Sequence, residues 1–165
     1  MSDDTEALAA QVERLLARVD ELESRAALRD LVSDYCIGFD RHDWERFIAI
    51  WHEDAVWAIG DPFGDFVGHE GIREAVFEVL YPAWRETNHL TTNLRITFAD
   101  ADHAVASCDV DCMGASPDGV VQMVGATYKD TFERRQGVWK IARREVQMHY
   151  FNPIPGAQMT SPQAS

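Results

Sequence analysis

The chain of 165 residues lacks the features that mark several common classes of protein. Lys and Arg number only 15 against 28 Asp and Glu, a net charge of −13, and so acidic a surface repels nucleic-acid phosphates and anionic lipid heads. No apolar run approaches the roughly 20 residues that a membrane span needs. The acidic start, Met1–Asp4, is unlike a secretory signal. We therefore expect a cytoplasmic protein with neither nucleic acid nor membrane as a partner.

Cysteine is scarce, and the motifs that hold metals or nucleotides are missing. The chain has an odd number of cysteines: Cys36, Cys108 and Cys112. Neither Cys108 nor Cys112 has a histidine nearby in metal-ligand spacing. We predict buried free thiols, as in a reducing compartment. There is no glycine-rich phosphate loop, no His-Glu-x-x-His and no Gly-x-Ser-x-Gly, so we expect no metal and no cofactor. Any activity would rest on proton transfer by His, Asp, Tyr and Arg.

The first forty residues have the pattern of one long helix with two different faces. Its first part shows the 4, 3, 4, 3 spacing of a heptad seam: Leu8, Val12, Leu15, Val19 and Leu22. We predict that residues 1–23 form an arm that pairs with a partner subunit, giving a homo-oligomer (dimer or trimer), or that packs on the body. From Ala26 onward the apolar stripe broadens, which is typical of a helix on a globular core.

The rest of the chain alternates between short helices and extended segments. Helices are predicted at Trp44–Trp51, capped by Asp43, and at His69–Ala83. Extended segments are predicted at Asp54–Ile59, Asp65–Gly68, His89–Phe98, Ala104–Met113, Val120–Phe132 and Val138–Tyr150. Short polar connections join the last four, so neighbouring strands should be antiparallel.

Helices early in the chain and strands late in it predict an α+β fold. We expect one domain at residues 24–152, in which a curved antiparallel sheet wraps around the helices and leaves a pocket at its open end. The segment 153–165 is rich in Pro, Gly, Ser and Gln, and we predict a flexible tail there.

His89 stands out among the six histidines because it opens a strand beside the polar run Thr91-Thr92-Asn93. A neutral imidazole is well matched to taking a proton near pH 7, and an acidic partner would fix its tautomer. Asp40, at the end of the first helix, is the candidate; the alternative is a helix-capping Asp40 and a structural His89. Strict alternation places His89 opposite Leu94, so an inward His89 requires a bulge near Thr91. Four of the other five are predicted at the surface: His42, His52, His69 and His103.

Several motifs, taken in order, resemble the SnoaL-like branch of the nuclear-transport-factor-2-like superfamily. They are Ser24-Arg25-Ala26-Ala27-Leu28-Arg29-Asp30-Leu31, Gly38-Phe39-Asp40, Trp51-His52-Glu53-Asp54-Ala55-Val56-Trp57, Glu86-Thr87-Asn88-His89-Leu90-Thr91-Thr92-Asn93-Leu94, and Tyr128 with Phe132-Glu133-Arg134-Arg135-Gln136-Gly137-Val138-Trp139-Lys140-Ile141. The chain is most similar to the hexachlorocyclohexane dehydrochlorinase group and more distantly similar to scytalone dehydratase. The resemblance runs from Ser24 to Pro155 and implies a cone-shaped curved sheet, with the arm as an N-terminal helical extension.

The resemblance also implies roles for four residues. In the family, the Asp that ends the first helix and the His that opens the third strand form a dyad, which corresponds to Asp40 and His89. An Arg on the last strand assists the departing group and corresponds to Arg144, although strict alternation puts Arg143 on the core face unless that strand bulges. The dehydrochlorinases have a Lys where this chain has Tyr35, a possible acid or hydrogen-bond donor. This difference favours loss of an oxygen-linked group over loss of chloride.

Aromatic side chains are predicted to contact a substrate or to belong to the core: Phe39, Trp44, Trp51, Trp57 and Trp84. An apolar pocket with few polar groups suits a small hydrophobic, aromatic molecule. We expect a cofactor-independent lyase (a dehydratase, dehydrohalogenase or formaldehyde-lyase) with His89 as base, Asp40 as its orienter and Arg144 as stabiliser. Two alternatives stay open: a proton shuttle like ketosteroid isomerase or a polyketide cyclase, and a ligand-binding module without catalysis.

Overall fold

The computed structural model describes residues 2–158, and its helices follow the predicted order. Helix α1 spans Ser2–Asp40 without a break. Helix α2 spans Trp44–Ala49 and begins as predicted, with the Asp43 side chain accepting a hydrogen bond from the Arg46 amide. The third helical run has three parts: α3 at Gly68–Glu74, a π-helical stretch at Ala75–Leu80, and α4 at Tyr81–Ala83.

Six strands form one sheet in the order β2-β1-β6-β5-β4-β3. The strands are β1 at Trp51–Gly60, β2 at Gly64–Val67, β3 at Glu86–Phe98, β4 at His103–Ala115, β5 at Val120–Arg135 and β6 at Val138–Gln158. Successive strands within the β1–β2 pair and within β3–β6 are antiparallel, as predicted. Strands β1 and β6 pair in parallel. No turn joins these two strands directly, so turn motifs in the sequence could not predict this pairing. This pairing joins the two units into one curved sheet.

The last strand is longer than the sequence pattern predicts. Pro153 lies opposite Gln122, and Gln158 lies opposite Val120, so strand rather than a flexible tail occupies residues 153–158. Residues 159–165 of that predicted tail lie outside the described residues. The prolines suggested an end to the strand because they lack an amide donor, but a strand accommodates proline where that donor is not required.

Only the second half of α1 belongs to the hydrophobic core. Leu28, Val32 and Phe39 are buried there, where α1 packs against β3 and β6. Helix α2 folds back tightly on α1 at Gly38, where a side-chain Cβ would lie 2.9 Å from the Phe47 amide nitrogen. A glycine is therefore required at the point where the two helices meet.

Buried polar groups partly follow the predictions from sequence. Cys36, Cys108 and Cys112 are buried free thiols, as predicted. His52, predicted at the surface, is buried instead, with its Nε2 3.0 Å from the Glu133 carbonyl oxygen. Its charged neighbours in sequence suggested exposure, but β1 lies inside the sheet beside β6.

Between residues 2 and 158, none of the helices has the length and hydrophobicity of a membrane span.

Candidate active site

A bulge in β3 turns His89 toward the concave face of the sheet. The pairing of β3 with β4 shifts register between Thr92 and Arg95, and Asn93 adopts a left-handed backbone conformation there, with φ of 56°. Two consecutive residues of β3 therefore face outward, and His89 shares the inner face with Leu94. The bulge that an inward His89 requires is thus confirmed, directly after Thr91.

A second bulge, in β6, places Arg144 rather than Arg143 in the core. Thr131 pairs with Arg143, whereas the next residue of β5 pairs with Ile141. Ala142 is consequently an extra residue that reverses the alternation. Arg144 is completely buried and Arg143 is exposed, which decides between the two candidate arginines.

A cavity lies between α1 and the concave face of the sheet, with about 630 Å³ of empty space when the open solvent at its mouth is included. Five of the residues singled out from sequence line it: Tyr35, Phe39, Trp57, Trp84 and His89. Most of the remaining wall is aliphatic or aromatic. Such a site suits a hydrophobic ligand that a few polar groups orient.

Trp44 and Trp51 lie outside this cavity, in contrast to the expectation that they contact substrate. The Trp51 side chain is fully buried, and its ring centroid lies 6.0 Å from that of Phe47 and 5.6 Å from that of Trp57. Trp44 packs on Phe47 and Phe77, at 6.4 and 5.2 Å between ring centroids. Trp51 belongs to the buried core and Trp44 is half-buried against it, positions that residue type alone does not reveal.

Asp40 and His89 form a close pair at the cavity wall. The Nδ1 of His89 lies 2.5 Å from Oδ1 of Asp40, and the His89 backbone amide donates to Oδ2 at 2.8 Å. Thr87, two residues before His89 on the same face of β3, donates its hydroxyl to Oδ1 at 2.7 Å. These three contacts hold the carboxylate and the imidazole in a fixed relation, with side chains only 14% and 10% exposed.

The charge of Asp40 determines which nitrogen of His89 carries the proton. Burial has the largest influence on the Asp40 pKa and raises it, but hydrogen bonds from His89 and Thr87 and the charge of His89 outweigh burial. The pKa of Asp40 therefore lies below its usual value, and the group is ionised near pH 7. A carboxylate only accepts hydrogen bonds, so Nδ1 of His89 carries the hydrogen. In the neutral form of His89 the lone pair is then on Nε2, and the ring lines the cavity.

Behind one wall of the cavity, Arg144 lies between two tyrosine rings. Its guanidinium carbon is 4.1 Å from the ring centroid of Tyr35 and 4.3 Å from that of Tyr128. Its Nε and Nη2 each donate to a carboxylate oxygen of Asp130 at 2.7 Å. Burial lowers the pKa of Arg144, but Asp130 raises it more, so the guanidinium stays charged. Nη1 finds no hydrogen-bond partner within residues 2–158 and is stabilised by the ring faces.

This arrangement separates Arg144 from a bound ligand. Tyr35 and Tyr128 line the cavity and Arg144 does not, so its charge acts on the pocket through the two phenols. Burial raises the pKa of both phenols, which keeps them protonated. Each of them is therefore present as a hydroxyl and not as a phenolate, so each has one hydrogen to donate.

Sequence reasoning missed several lining residues. Tyr128 is buried in β5 and had no signal beyond its place in a family motif. Thr87 was detectable, because it lies two residues from His89 on the same face of a strand. Cys112 pairs with His89 across β3 and β4 and lines the cavity. Burial raises its pKa to about 12, so it remains a thiol and does not act as a nucleophile.

Across residues 2–158, no group of three or more His, Cys, Asp and Glu residues is placed to hold a metal ion.

Comparison with known proteins places the chain in a family. The SnoaL-like domain family matches residues 20–145. The chain belongs to the SnoaL-like family. Hexachlorocyclohexane dehydrochlorinase 1 of Sphingobium indicum is 39% identical over 150 residues, which cover 90% of this chain and 97% of that protein. The gamma-hexachlorocyclohexane dehydrochlorinase of the same species is 36% identical over 148 residues, covering 89% and 94%.

Solved structures agree with this assignment. A hexachlorocyclohexane dehydrochlorinase of Novosphingobium barchaimii has a TM-score of 0.83 at 38% identity, covering 88% of this chain and 99% of that one. A scytalone dehydratase-like protein of Novosphingobium aromaticivorans has a TM-score of 0.75 at 19% identity, covering 90% and 99%, and shares the fold. The resemblance to a SnoaL-like, nuclear-transport-factor-2-like α+β fold is thus confirmed. The relatives at 36–39% identity are carbon–halogen lyases by name, and lyase is the enzyme class that this SnoaL-like chain shares with them.

Proposed function

We propose that this SnoaL-like protein is a cofactor-independent lyase that acts on small hydrophobic, aromatic molecules, with His89 as general base and Asp40 as its orienter. One observation supports this most: the short contact between Nδ1 of His89 and Asp40 at the wall of an apolar cavity. A carboxylate in this position fixes the imidazole tautomer and stabilises the imidazolium that forms when Nε2 takes a proton. An apolar cavity, in which electrostatic interactions are screened less than in water, strengthens both effects.

The elimination follows from this geometry. Nε2 of His89 removes a proton from the carbon next to the one that bears the leaving group. The electron pair of the broken C–H bond forms a C=C bond, and the leaving group departs with the pair of its own bond. Where a hydroxyl departs, the proton on His89 passes to that oxygen, so water is released and the imidazole is neutral again. Loss of formaldehyde from a hydroxymethyl group would use the same base on the hydroxyl proton: the C=O bond of formaldehyde forms as the C–C bond breaks, and the carbon that keeps the electron pair takes the proton back from His89.

The phenol of Tyr35 favours an oxygen-linked leaving group over chloride. Its ring lies 6.1 Å from the His89 ring, centroid to centroid, so a small molecule in the cavity contacts both. A protonated phenol donates a strong hydrogen bond to an oxygen that is gaining negative charge. Chloride departs without a proton and gains less from this donor. Arg144 contributes by placing a positive charge behind the Tyr35 ring.

The test is a mass-spectrometric screen of hydroxylated and chlorinated alicyclic and aromatic compounds. We expect the product to be lighter than the substrate by the departing fragment. His89→Ala and Asp40→Asn should each lower kcat/KM by about 10²–10⁴-fold, because general base catalysis contributes that much. Tyr35→Phe should slow turnover of the hydroxylated substrate more than turnover of a chlorinated one.

A second histidine–aspartate pair provides the control. His103 and Asp100 lie 2.8 Å apart, but their side chains are 56% and 60% exposed and belong to a hairpin outside the cavity. His103→Ala should therefore leave turnover unchanged. Undiminished turnover in His89→Ala would rule out the mechanism. A product equal in mass to its substrate would indicate an isomerase, and ligand binding without turnover by the wild type would indicate a binding module.

A further inference from the structure

We propose that an aromatic rim at the open end of the cavity (Phe63, Trp84 and Phe151) selects substrates that carry an aromatic ring away from the reacting carbon. All three side chains line the cavity. Phe151 is 38% exposed, whereas Tyr35 and Tyr128 in the same lining are only 3% and 4% exposed. The rim therefore lies where the cavity opens to solvent. This inference rests on the proposed function, because it concerns the class of substrate on which the dyad would act.

The aromatic rim joins three separate parts of the chain. Phe63 belongs to the turn between β1 and β2, Trp84 lies between α4 and β3, and Phe151 lies in β6. The rings of Phe63 and Phe151 are 6.1 Å apart between centroids, with an interplanar angle of 27°. Those of Trp84 and Phe151 are 5.7 Å apart, with an angle of 31°. Both distances lie in the range in which aromatic rings attract each other, so Phe151 is the middle ring of a continuous row.

Gly114 of β4 determines where the Trp84 ring lies. A Cβ at residue 114 would be 2.6 Å from Cε3 and 2.7 Å from Cζ3 of Trp84, so the ring rests directly on the backbone of the strand. Gly114 pairs across the sheet with Thr87, the residue that donates a hydrogen bond to Asp40. One side of the rim is therefore fixed next to the strand that carries the dyad.

A row of paired residues on the concave face connects the dyad with the rim. His89 in β3 pairs with Cys112 in β4. Cys112 pairs with Val124 in β5, which pairs in turn with Phe151 in β6. All four residues line the cavity, and three strand spacings of roughly 4.8 Å separate the two ends of the row by about 14 Å along the sheet. The cavity thus has a catalytic end at β3 and an aromatic end at β6.

An aromatic ligand gains more from this rim than an aliphatic ligand with the same carbon skeleton. Aromatic rings in stacked or edge-to-face contact are stabilised beyond the burial of their surface, because the negative face of one ring attracts the positive edge of another. One such contact changes affinity by about two- to tenfold. The rim therefore favours bicyclic or aryl-substituted alcohols, with the hydroxyl-bearing carbon near His89 and the aromatic ring at Phe151.

Isothermal titration calorimetry with two alcohols of one carbon skeleton tests this selection. In β-tetralol an aromatic ring is fused to the ring that bears the hydroxyl, and β-decalol is its fully saturated counterpart. The measured quantity is the Kd of β-decalol divided by the Kd of β-tetralol, compared between variants so that the difference in hydrophobicity of the two compounds cancels. Phe151→Leu and Phe63→Leu each keep an apolar side chain but remove a ring, and each should lower this ratio by about two- to tenfold.

The matched control is Tyr150→Leu. Tyr150 precedes Phe151 in β6 and is 39% exposed, but its ring lies over Gly125 and does not line the cavity. This variant should leave the ratio unchanged, and circular dichroism verifies that all three variants are folded. A ratio that neither Phe151→Leu nor Phe63→Leu lowers, an equal fall in Tyr150→Leu, or no measurable binding of either alcohol to wild type would each overturn the proposal.

The failure of this proposal is distinguishable from the failure of the proposed function, because binding is measured without turnover. If the ratio falls as expected but wild type turns over neither alcohol nor any other compound, the rim stands and the lyase mechanism does not. If turnover depends on His89 but the ratio is the same in all variants, the lyase mechanism stands and selection by the rim is ruled out.

Discussion

The polar residues around the cavity owe their charge states to their neighbours. Asp40 stays ionised because its hydrogen bonds outweigh its burial, and in the proposed mechanism Nε2 of His89 is then the base. Arg144 stays charged because Asp130 accepts two hydrogen bonds from it. The Tyr35 ring lies between the Arg144 guanidinium and the cavity. The positive charge can therefore act on a ligand through its electrostatic field but not by direct contact. The proposed base, His89, and a hydroxyl donor, Tyr35, thus share one cavity.

At the residue scale, the buried Arg144–Asp130 pair should be sensitive to removal of one partner. Asp130→Asn leaves a completely buried guanidinium without its counter-charge, and we expect a loss of about 3–5 kcal/mol in the free energy of unfolding. Urea denaturation measures it. The double variant Asp130→Leu with Arg144→Met removes both charges and should recover much of that loss. If Asp130→Asn lowers the free energy of unfolding by less than about 1 kcal/mol, Asp130 is not the main group that stabilises the buried guanidinium of Arg144.

At the element scale, bulges place the functional side chains. One extra residue in β3 turns His89 inward, and one in β6 does the same for Arg144. Both side chains would face outward in strands of regular alternation. The bulge in β3 depends on Asn93, whose left-handed backbone few side chains tolerate and whose side chain donates to Asp109 at 2.9 Å.

Substitutions at Asn93 separate its backbone role from its hydrogen bond. Asn93→Gly and Asn93→Ala both remove the contact with Asp109, but only glycine adopts a φ of 56° without strain. We expect Asn93→Ala to be less stable than Asn93→Gly by about 1–2 kcal/mol. Thermal unfolding of the two variants measures the difference. Equal stability would mean that the bulge does not need this conformation.

For the whole molecule, falling pH has two opposite effects on stability. Protonation of surface carboxylates relieves the repulsion within a chain of net charge −13, which favours the folded state. Protonation of Asp40 removes the charge that anchors His89 and Thr87. Because the pKa of Asp40 is lower in the folded chain, its contribution is present above the ordinary pKa of about 4 and is lost as the pH falls further.

A comparison with Asp40→Asn isolates this contribution, since the surface carboxylates are common to both proteins. We expect wild type to be more stable by about 1–3 kcal/mol at pH 7, the value of hydrogen bonds to a charged group. The difference should shrink as the pH is lowered below about 4. Chemical denaturation across that range measures it. A difference independent of pH would show that the charge of Asp40 does not stabilise the fold.

Local patterns in the sequence determined the helices, the strands and the two residues of the dyad. Heptad spacing indicated the arm, alternation indicated the strands, and residue type with family motifs indicated Asp40 and His89. These features are predictable because each depends on residues a few positions apart, whose geometry within a helix or strand is fixed.

Only the tertiary structure decided how these parts meet. The parallel pairing of β1 with β6, the core position of Trp51 and the enclosure of Arg144 by Tyr35 and Tyr128 all join residues distant in the chain. Alternation required a bulge for an inward His89, but the pairing of β3 with β4 located it. The physical reason is that periodicity reports the faces of one element, whereas register and burial depend on the elements packed against it.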